Sequence, residues 1–218
     1  DIPITLSTVM QNIIDDKTFD VSHGIIHHSE GVDLLPSNIE LSGFEVRLIN
    51  AMSRERVLKT YVNEVKKNYD YVLIDCMPSL GMITINALAA ADSVIIPTQP
   101  HYLSAKGLEL LLRSVSMVKR QINPKLRIDG ILMTMVMPRT NISKEITATV
   151  KSAYGKKIKV FDTEIPHSIR AVEATAEGKS IFAYDKSGKV AAAYEQLGKE
   201  VAEIGEKQRN QNRADRIR

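Results

Sequence analysis

From residue 69 onward, short runs of apolar residues alternate with longer segments in which apolar residues recur at helical spacing. The runs are YVLI (71–74), SVIIP (93–97), IDGILMTMV (128–136) and IKVF (158–161). They are almost continuously apolar, which is typical of parallel strands that helices cover on both faces. The alternation therefore predicts an α/β fold with a mostly parallel sheet flanked by helices on both faces.

The segments between these runs carry helix signals. Ser104 is expected to cap the helix that follows the second run, Ser143 to open the next helix, and Gly178 to end the one after it. Upstream of the first run the pattern is looser. There, GIIHH and GVDLL indicate two short strands among helical segments.

The composition is that of a globular protein. Hydrophobic residues make up 44% of the 218 residues and charged residues 25%, and no apolar run approaches the roughly 18 residues of a membrane span. One cysteine, Cys76, excludes an internal disulfide and is typical of a reducing cytoplasm. We expect one domain over residues 1–206 and a disordered tail over 207–218, where five basic residues stand against one acid.

Asp75 directly follows the first apolar run. Ligands of open parallel sheets bind beyond the carboxyl ends of the strands. A carboxylate at that position can hold a magnesium ion, usually through water, beside a bound triphosphate. An acid in this place can equally cap the next helix, so Asp75 taken alone leaves both interpretations open.

The surrounding motifs are more specific. In chain order they are LPSNIELSGFEV (35–46), SRERVLK (53–59), DCMPSLG (75–81), TINAL (84–88), ADS (91–93), IPTQ (96–99), GILMTMVMPRTNIS (130–143) and IPHSIRAVEATAEGKSIFAYD (165–185). Together they resemble the ParA/Soj family of chromosome- and plasmid-partition ATPases. These are P-loop NTPases with a deviant Walker A motif, related to the MinD division-site regulators, and the resemblance covers nearly all of the chain before the tail.

The resemblance implies a nucleotide site for ATP and Mg²⁺. Asp75 matches the Walker B acid, the catalytic residue that organises magnesium, through water, and the attacking water. Thr134 and Met135, at the end of a strand, and Pro166, in the loop after the next strand, match residues that line the adenine pocket.

The resemblance also implies partners. Arg139 and Arg170 match arginines through which ATP-bound homodimers of the family grip DNA without sequence preference. Guanidinium groups bind phosphate oxygens well, and contacts to the DNA backbone carry no base information. Either arginine alone can equally be a solvated surface residue. The further partner is a ParB-like centromere-binding protein that stimulates hydrolysis, and the expected location is cytoplasmic and nucleoid-associated.

The chain departs from the family pattern in two substitutions and two missing motifs. Met77 stands where the family usually has a proline, and His167 replaces a common arginine. The glycine-rich Lys-Gly-Gly-x-Gly-Lys-Thr loop and the Asp-x-Asp-Pro-Gln segment do not occur in the 218 residues. Since both lie upstream of the matched segments in the family, we expect this chain to be the downstream part of a partition ATPase, catalytically incomplete by itself.

Two alternatives remain open. The chain could be a non-catalytic module that keeps contacts to DNA or a partner without turnover. A MinD-like membrane regulator would need an amphipathic C-terminal helix, but Ile217 is the only bulky apolar residue beyond Gly205, which argues against a membrane.

His23, His27 and His28 lack further ligands at useful spacing and are interpreted as surface or partly buried histidines rather than a metal site.

Overall fold

The computed structural model describes residues 4–77, 79 and 81–216, with side chains up to residue 210. Pro78 and Leu80, which belong to the motif DCMPSLG, and Ile217, named in the argument about a membrane helix, lie outside the described residues. The elements within them are α1 (Leu6–Ile14), β1 (Ile26–His27), β2 (Asp33–Leu34), α2 (Glu40–Leu48), α3 (Val57–Val65), a 3₁₀ turn (Lys66–Asn68), α4 (Met82–Ala90), β3 (Ser93–Thr98), α5 (Tyr102–Gln121), β4 (Arg127–Met133), α6 (Asn141–Tyr154), α7 (Ile169–Ala176), α8 (Ile181–Tyr184) and α9 (Lys189–Arg216).

The chain packs as two compact units. The first comprises Asp1–Asp92 and Arg113–Arg127, and the second comprises Ser93–Leu112 and Ile128–Arg218. The expected single domain over residues 1–206 stays a prediction. Helix α9 continues to Arg216, so the expected boundary with the tail at residue 206 corresponds to no break in this helix.

The first unit is mainly helical. Helices α1, α2, α3 and α4 share one buried apolar core, whose buried members are Val9, Met10, Phe44, Leu48, Val57, Leu58, Tyr61, Val62, Val65, Ala87 and Ala90. The two short strands expected from GIIHH and GVDLL are present as an antiparallel pair, β1 and β2, in which Ile26 lies opposite Leu34.

The segment that leads to Asp75 differs from the prediction. Residues 71–77 are irregular and mostly exposed, with Leu73 at 92% exposure and Tyr71 at 54%, and only Ile74 is half-buried, against the core of the first unit. The prediction of a buried strand over 71–74 is therefore wrong for this structure. A strand is stabilised by hydrogen bonds to its neighbours. Within the described residues, no strand pairs with this segment, and its apolar side chains therefore stay in contact with solvent.

The second unit contains the parallel sheet. Strands β3 and β4 are paired, and the Thr134 N–H donates to the Thr98 carbonyl at their carboxyl ends (2.9 Å). On the other side of β4, Ile131 forms a parallel bridge with Val160. The predicted strand over 93–97 is thus confirmed in β3, and the predicted strand over 128–136 is confirmed in β4 as far as Met133. The run 158–161 pairs only at this bridge.

Helices cover both faces of this sheet, as its side-chain alternation requires. Ile131 and Met133 point to a core that includes residues of α5 and α6. Leu132 lies in a separate core with Phe161 and with residues of α7, α8 and α9. The predicted α/β fold, with a parallel sheet between helical layers, is confirmed.

Gly130 shows why strand β4 fits its neighbour. A Cβ atom at this position would lie 2.7 Å from the Phe161 ring and 3.0 Å from the Lys159 carbonyl oxygen. Phe161 is fully buried, so the ring has no room to retreat. The missing side chain of Gly130 therefore allows the segment around residue 160 to pair with β4.

Among the helices in the described part of the chain, none combines the length and the apolar character needed to cross a bilayer.

Candidate functional site

Two backbone segments run side by side at the carboxyl edge of the sheet in the second unit. Val136 and Pro166 form a parallel bridge. The Val136 N–H donates to the Ile165 carbonyl and the His167 N–H donates to the Val136 carbonyl, each at 3.0 Å. Residues 134–136, beyond β4, and 165–167 are therefore fixed against each other at the edge where ligands of parallel sheets bind.

The three residues predicted for an adenine pocket all lie on these segments. Thr134 is held by its bond to the carbonyl of Thr98. Met135 adopts a left-handed conformation with φ of 52°, and its side chain is 52% exposed. For a residue other than glycine this conformation is uncommon and is enriched at functional sites. The structure thus brings Thr134, Met135 and Pro166 to one edge, and their role in binding adenine stays a prediction.

Arg139 projects from a tight turn that precedes α6. The Thr140 N–H and hydroxyl both donate to the Met137 carbonyl at 3.0 Å. The Met137 N–H in turn donates to the hydroxyl of Ser143 (3.2 Å), which is 1% exposed. Helix α6 begins at Asn141 after Thr140, so Ser143 ties down the preceding turn from within the helix rather than opening the helix. The turn holds the backbone of Arg139 while its side chain is exposed.

Arg170 lies in the first turn of α7 and has partners within the unit. Its guanidinium is 3.7 Å from the Glu173 carboxylate and 5.9 Å from the centre of the Tyr184 ring. The Tyr184 hydroxyl donates to the same carboxylate at 3.0 Å. The Tyr184 side chain, followed by the charge of Glu173, holds the pKa of Arg170 above its usual value. Arg170 is therefore exposed to solvent, but its guanidinium group already interacts with Glu173 and Tyr184.

The two arginines extend from the same pair of segments. Arg139 follows Val136 by three residues and Arg170 follows Pro166 by four, and Val136 and Pro166 are bridged. The path from Arg139 through this bridge to Arg170 therefore separates their Cα atoms by no more than roughly 30 Å. Neither α6 nor α7 has an acidic residue in its first turn, so both helix starts are free of acids that would repel phosphate.

Asp75 lies in the first unit, whereas the other five predicted site residues lie in the second. Its side chain is exposed in the irregular segment 71–77. The neighbouring Cys76 thiol donates to the Ile74 carbonyl at 3.6 Å. Partial burial and then the negative charge of Asp75 raise the pKa of this thiol, so Cys76 is not activated as a nucleophile.

The histidines near β1 are exposed, and one of them joins a hydrogen-bonded chain. Nδ1 of His27 lies 2.6 Å from one oxygen of Asp33, and the hydroxyl of Tyr69 donates to the other at 2.7 Å. In the described residues there is no group of three or more His, Cys, Asp or Glu side chains that could hold a metal ion. A single carboxylate such as Asp75 can still bind magnesium through water.

Glu200 is a residue that the sequence reasoning missed. It lies on α9, is 8% exposed, and accepts hydrogen bonds from the N–H and hydroxyl groups of Thr163 (2.9 and 2.5 Å). Burial by itself would raise the pKa of Glu200, but the hydrogen bonds from Thr163 and Lys159 outweigh burial and hold the pKa below its usual value. The helical spacing contains a signal for this position, because residue 200 shares a face with the apolar Leu197 and Ile204.

Comparison with known proteins gives consistent matches. The model of a family described as an AAA domain matches residues 4–128. Sporulation initiation inhibitor protein Soj of Bacillus subtilis is 44% identical over 176 residues, which cover 81% of this chain and 69% of that protein. Chromosome-partitioning ATPase Soj of Treponema pallidum is 42% identical over 167 residues, covering 77% of this chain and 65% of that protein. The chain therefore spans about two thirds of the length of these relatives.

A solved structure shares the fold. The crystal structure of cobyrinic acid a,c-diamide synthase from Mycobacterium smegmatis, with bound ATP analogue and magnesium, superposes with a TM-score of 0.70 at 30% identity. The match covers 83% of this chain and 76% of that chain. That protein holds a nucleotide and magnesium on a fold of the same kind.

Proposed function

This chain belongs to the ParA/Soj family of partition ATPases, and we propose that it acts in plasmid or chromosome partitioning, with residues that bind DNA and the base of ATP. The intact protein would dimerise with ATP, bind DNA without sequence preference, and hydrolyse ATP when a ParB-like partner binds. It would act in the cytoplasm, on the nucleoid. The observation that carries this proposal is the pair of bridged segments that present Arg139 and Arg170 beyond one edge of the sheet.

The residues of the second unit are suited to phosphate groups of DNA. Two exposed guanidinium groups follow neighbouring strand ends, and arginine binds phosphate oxygens through a rigid fork of N–H donors. Contacts of this kind fix a protein on the DNA backbone and read no bases. The expected binding is therefore insensitive to sequence and sensitive to salt.

The residues present fit part of a nucleotide site. Backbone groups beside Thr134, the exposed Met135 side chain and the Pro166 ring offer polar and apolar contacts to a base. Asp75 offers an exposed carboxylate that would hold magnesium through water. The magnesium ion, when bound, neutralises charge on the phosphates. The phosphate-binding loop of the family is not among the 218 residues, so hydrolysis is proposed only for a protein that contains it.

The fold does not select this function by itself, because a cobyrinic acid a,c-diamide synthase shares it at 30% identity. The higher identities, 44% and 42%, are to the two Soj proteins. These favour a partition role over amidation of a small molecule.

The test uses the full coding sequence that contains these residues. Binding of a labelled DNA duplex of arbitrary sequence is measured by fluorescence anisotropy with ATP and Mg²⁺ for the wild type, Arg139→Ala, Arg170→Ala and the double variant. The expected result is a loss of about tenfold or more in the double variant, since each phosphate contact adds to affinity. An unchanged affinity in a folded double variant would sink the DNA assignment.

Lys156→Ala is the matched control. Lys156 is exposed and precedes the segment 158–161, at the end of the sheet opposite to Arg139 and Arg170. Its removal lowers the net charge by the same amount as either arginine variant. We expect it to leave DNA affinity close to that of the wild type, and an equal loss would show that net charge alone, not the arginine pair, drives binding.

A second candidate is a non-catalytic interaction module, because the exposed Arg139 and Arg170 would serve binding whether or not ATP is hydrolysed. The discriminating measurement is release of inorganic phosphate from ATP with Mg²⁺ by the 218-residue chain and by the full coding sequence. Turnover by the 218-residue chain excludes the non-catalytic module. Turnover only by a longer protein that contains the loop supports the partition ATPase.

A further inference from the structure

Glu200 is an acid on the apolar face of α9. Its neighbours on that helix, Leu197, Val201 and Ile204, pack in the core around Phe161, and its own side chain is 8% exposed. Burying a carboxylate is unfavourable unless the charge is paired and hydrogen-bonded. The groups that satisfy Glu200 therefore indicate what the residue does.

All of these groups lie on one short stretch of chain. The Thr163 N–H and hydroxyl donate to Oε1, and the Asp162 N–H approaches Oε2 at 3.3 Å. The Lys159 ammonium also lies 3.3 Å from Oε2. Both carboxylate oxygens are thus used to hold residues 159–163 against α9.

This stretch leads directly into the candidate site. Two residues after Thr163, the Ile165 N–H donates to the Met133 carbonyl at the end of β4 (2.9 Å), and the Ile165 carbonyl accepts from the Val136 N–H. Pro166 follows at the bridge to Val136. Residues 162–163 therefore immediately precede the backbone pairing that places Pro166 beside Met135.

We infer that Glu200 is a positioning residue for recognition of the nucleotide base: by holding residues 162–163 on α9, it supports the backbone pairing that sets the spacing between Pro166 and Met135. The inference rests on the proposed function, in which these residues flank adenine. Adenine and guanine differ in the donors and acceptors on the ring edge, and a site that reads them with backbone groups discriminates only when those groups are held in register. Glu200 therefore acts on base selectivity and touches no nucleotide.

The experiment compares affinities for fluorescent ATP and GTP analogues with Mg²⁺, using the full coding sequence. Glu200→Ala removes every contact of the carboxylate, and Glu200→Gln keeps one acceptor oxygen. We expect the preference for ATP over GTP to fall about fivefold or more in Glu200→Ala and less in Glu200→Gln. Amide hydrogen exchange at residues 162–167 should become faster in the same order.

Glu195→Ala is the control on the same helix. Glu195 pairs only with Lys199 in the described structure and its side chain is 64% exposed, so its loss should change neither the preference nor the exchange. A general loosening of α9 would instead affect both acidic variants alike. Equal effects in Glu195→Ala and Glu200→Ala would therefore overturn a specific role for Glu200.

The outcomes separate the inference from the function on which it rests. A wild-type protein that binds neither nucleotide overturns the proposed function, and this inference with it. A wild type that prefers ATP, together with a folded Glu200→Ala that keeps the full preference, overturns the inference alone. If Glu200→Ala does not fold, Thr163→Val removes the hydroxyl donor alone, and an unchanged preference in both Thr163→Val and Glu200→Gln overturns the inference.

Discussion

Val136 and Pro166 pair in parallel three residues beyond Met133, the last residue of β4. The pairing continues the sheet past the point where β4 ends and carries two loops to the same edge. One loop turns through Arg139 into α6, and the other turns through Arg170 into α7. Because the bridge fixes the start of both loops, the spacing of the two arginines depends on only a few residues on each side.

The two arginines should contribute unequally to DNA binding. Arg170 is engaged by Glu173 and Tyr184, and it must weaken these contacts to bind a phosphate. Among the described residues, Arg139 forms no ion pair with an acidic side chain. We expect Arg139→Ala to lose more affinity than Arg170→Ala, and Glu173→Gln to increase affinity modestly, by about twofold.

The salt dependence of binding checks this prediction. In a plot of the logarithm of affinity against the logarithm of salt concentration, each lost phosphate contact lowers the slope by about one unit. Arg139→Ala should show close to the full change and Arg170→Ala a smaller one, with Lys156→Ala unchanged as the control. Equal changes for the two arginines would mean that the contacts of Arg170 do not restrain it.

The sequence predicted the second unit better than the first for a physical reason. Strands β3 and β4 are covered on both faces by helices, so burial makes their sequences almost continuously apolar, and that pattern can be read directly. The run 71–74 has the same pattern, yet it is irregular and mostly exposed. The apolar pattern of a segment indicates which secondary structure the segment favours, whereas a strand also needs a neighbouring strand with which to pair.

The sequence motifs also indicated some residues of the candidate site and missed another. The motifs located Thr134, Met135 and Pro166, and the structure places them on two adjoining segments. The local sequence around Thr163 does not indicate that Glu200 holds it, because the two residues are separated by 37 residues. Contacts of this kind arise from tertiary packing, and one acid on an otherwise apolar helical face was their only trace in the sequence.

Gly130→Ala should destabilise the protein, because the added methyl group would meet the buried Phe161 ring and the Lys159 carbonyl. Overpacking of this kind costs about 1–3 kcal/mol. Gly198→Ala is the matched substitution, since a Cβ on that glycine of α9 meets nothing within 4 Å. It should stabilise the helix by about 0.5–1 kcal/mol. Urea unfolding measures both variants, and opposite signs are expected.

Asn86→Leu should destabilise the first unit. Asn86 is fully buried, and its amide nitrogen donates to the carbonyls of Arg54 (2.7 Å) and Met82 (3.0 Å) while its oxygen accepts from the Leu58 N–H (3.1 Å). Leucine fills the space but leaves backbone groups without partners, at a cost of about 2–4 kcal/mol.

The comparison variant is Asn86→Asp, which keeps the acceptor for the Leu58 N–H but places a carboxylate beside two carbonyl oxygens. It should destabilise as much as leucine at neutral pH, and less at low pH, where the protonated acid can donate one hydrogen bond. Thermal unfolding at two pH values measures the difference. Equal unfolding temperatures for wild type and Asn86→Leu would show that the three hydrogen bonds add nothing to stability.

Glu200 should make the stability of the protein depend on pH in the acid range. Its pKa in the folded protein lies below the ordinary value of 4.5, so the folded state holds the carboxylate charged and gains stability at pH values above 4.5. That gain is lost as the pH falls from 4.5 through the lowered pKa, because over this range the unfolded chain takes up the proton more readily than the folded protein does. Glu200→Gln cannot titrate, and its free energy of unfolding should therefore fall less steeply with decreasing pH than that of the wild type.

The measurement is urea unfolding at several pH values between about 6 and about 3. Glu195→Gln serves as the control. Lys199 also lowers the pKa of Glu195, but this exposed pairing is screened by solvent, so the curve of Glu195→Gln should differ from that of the wild type much less than the curve of Glu200→Gln does. Parallel curves for Glu200→Gln and the wild type would show that the contacts with Thr163 and Lys159 do not favour the charged form.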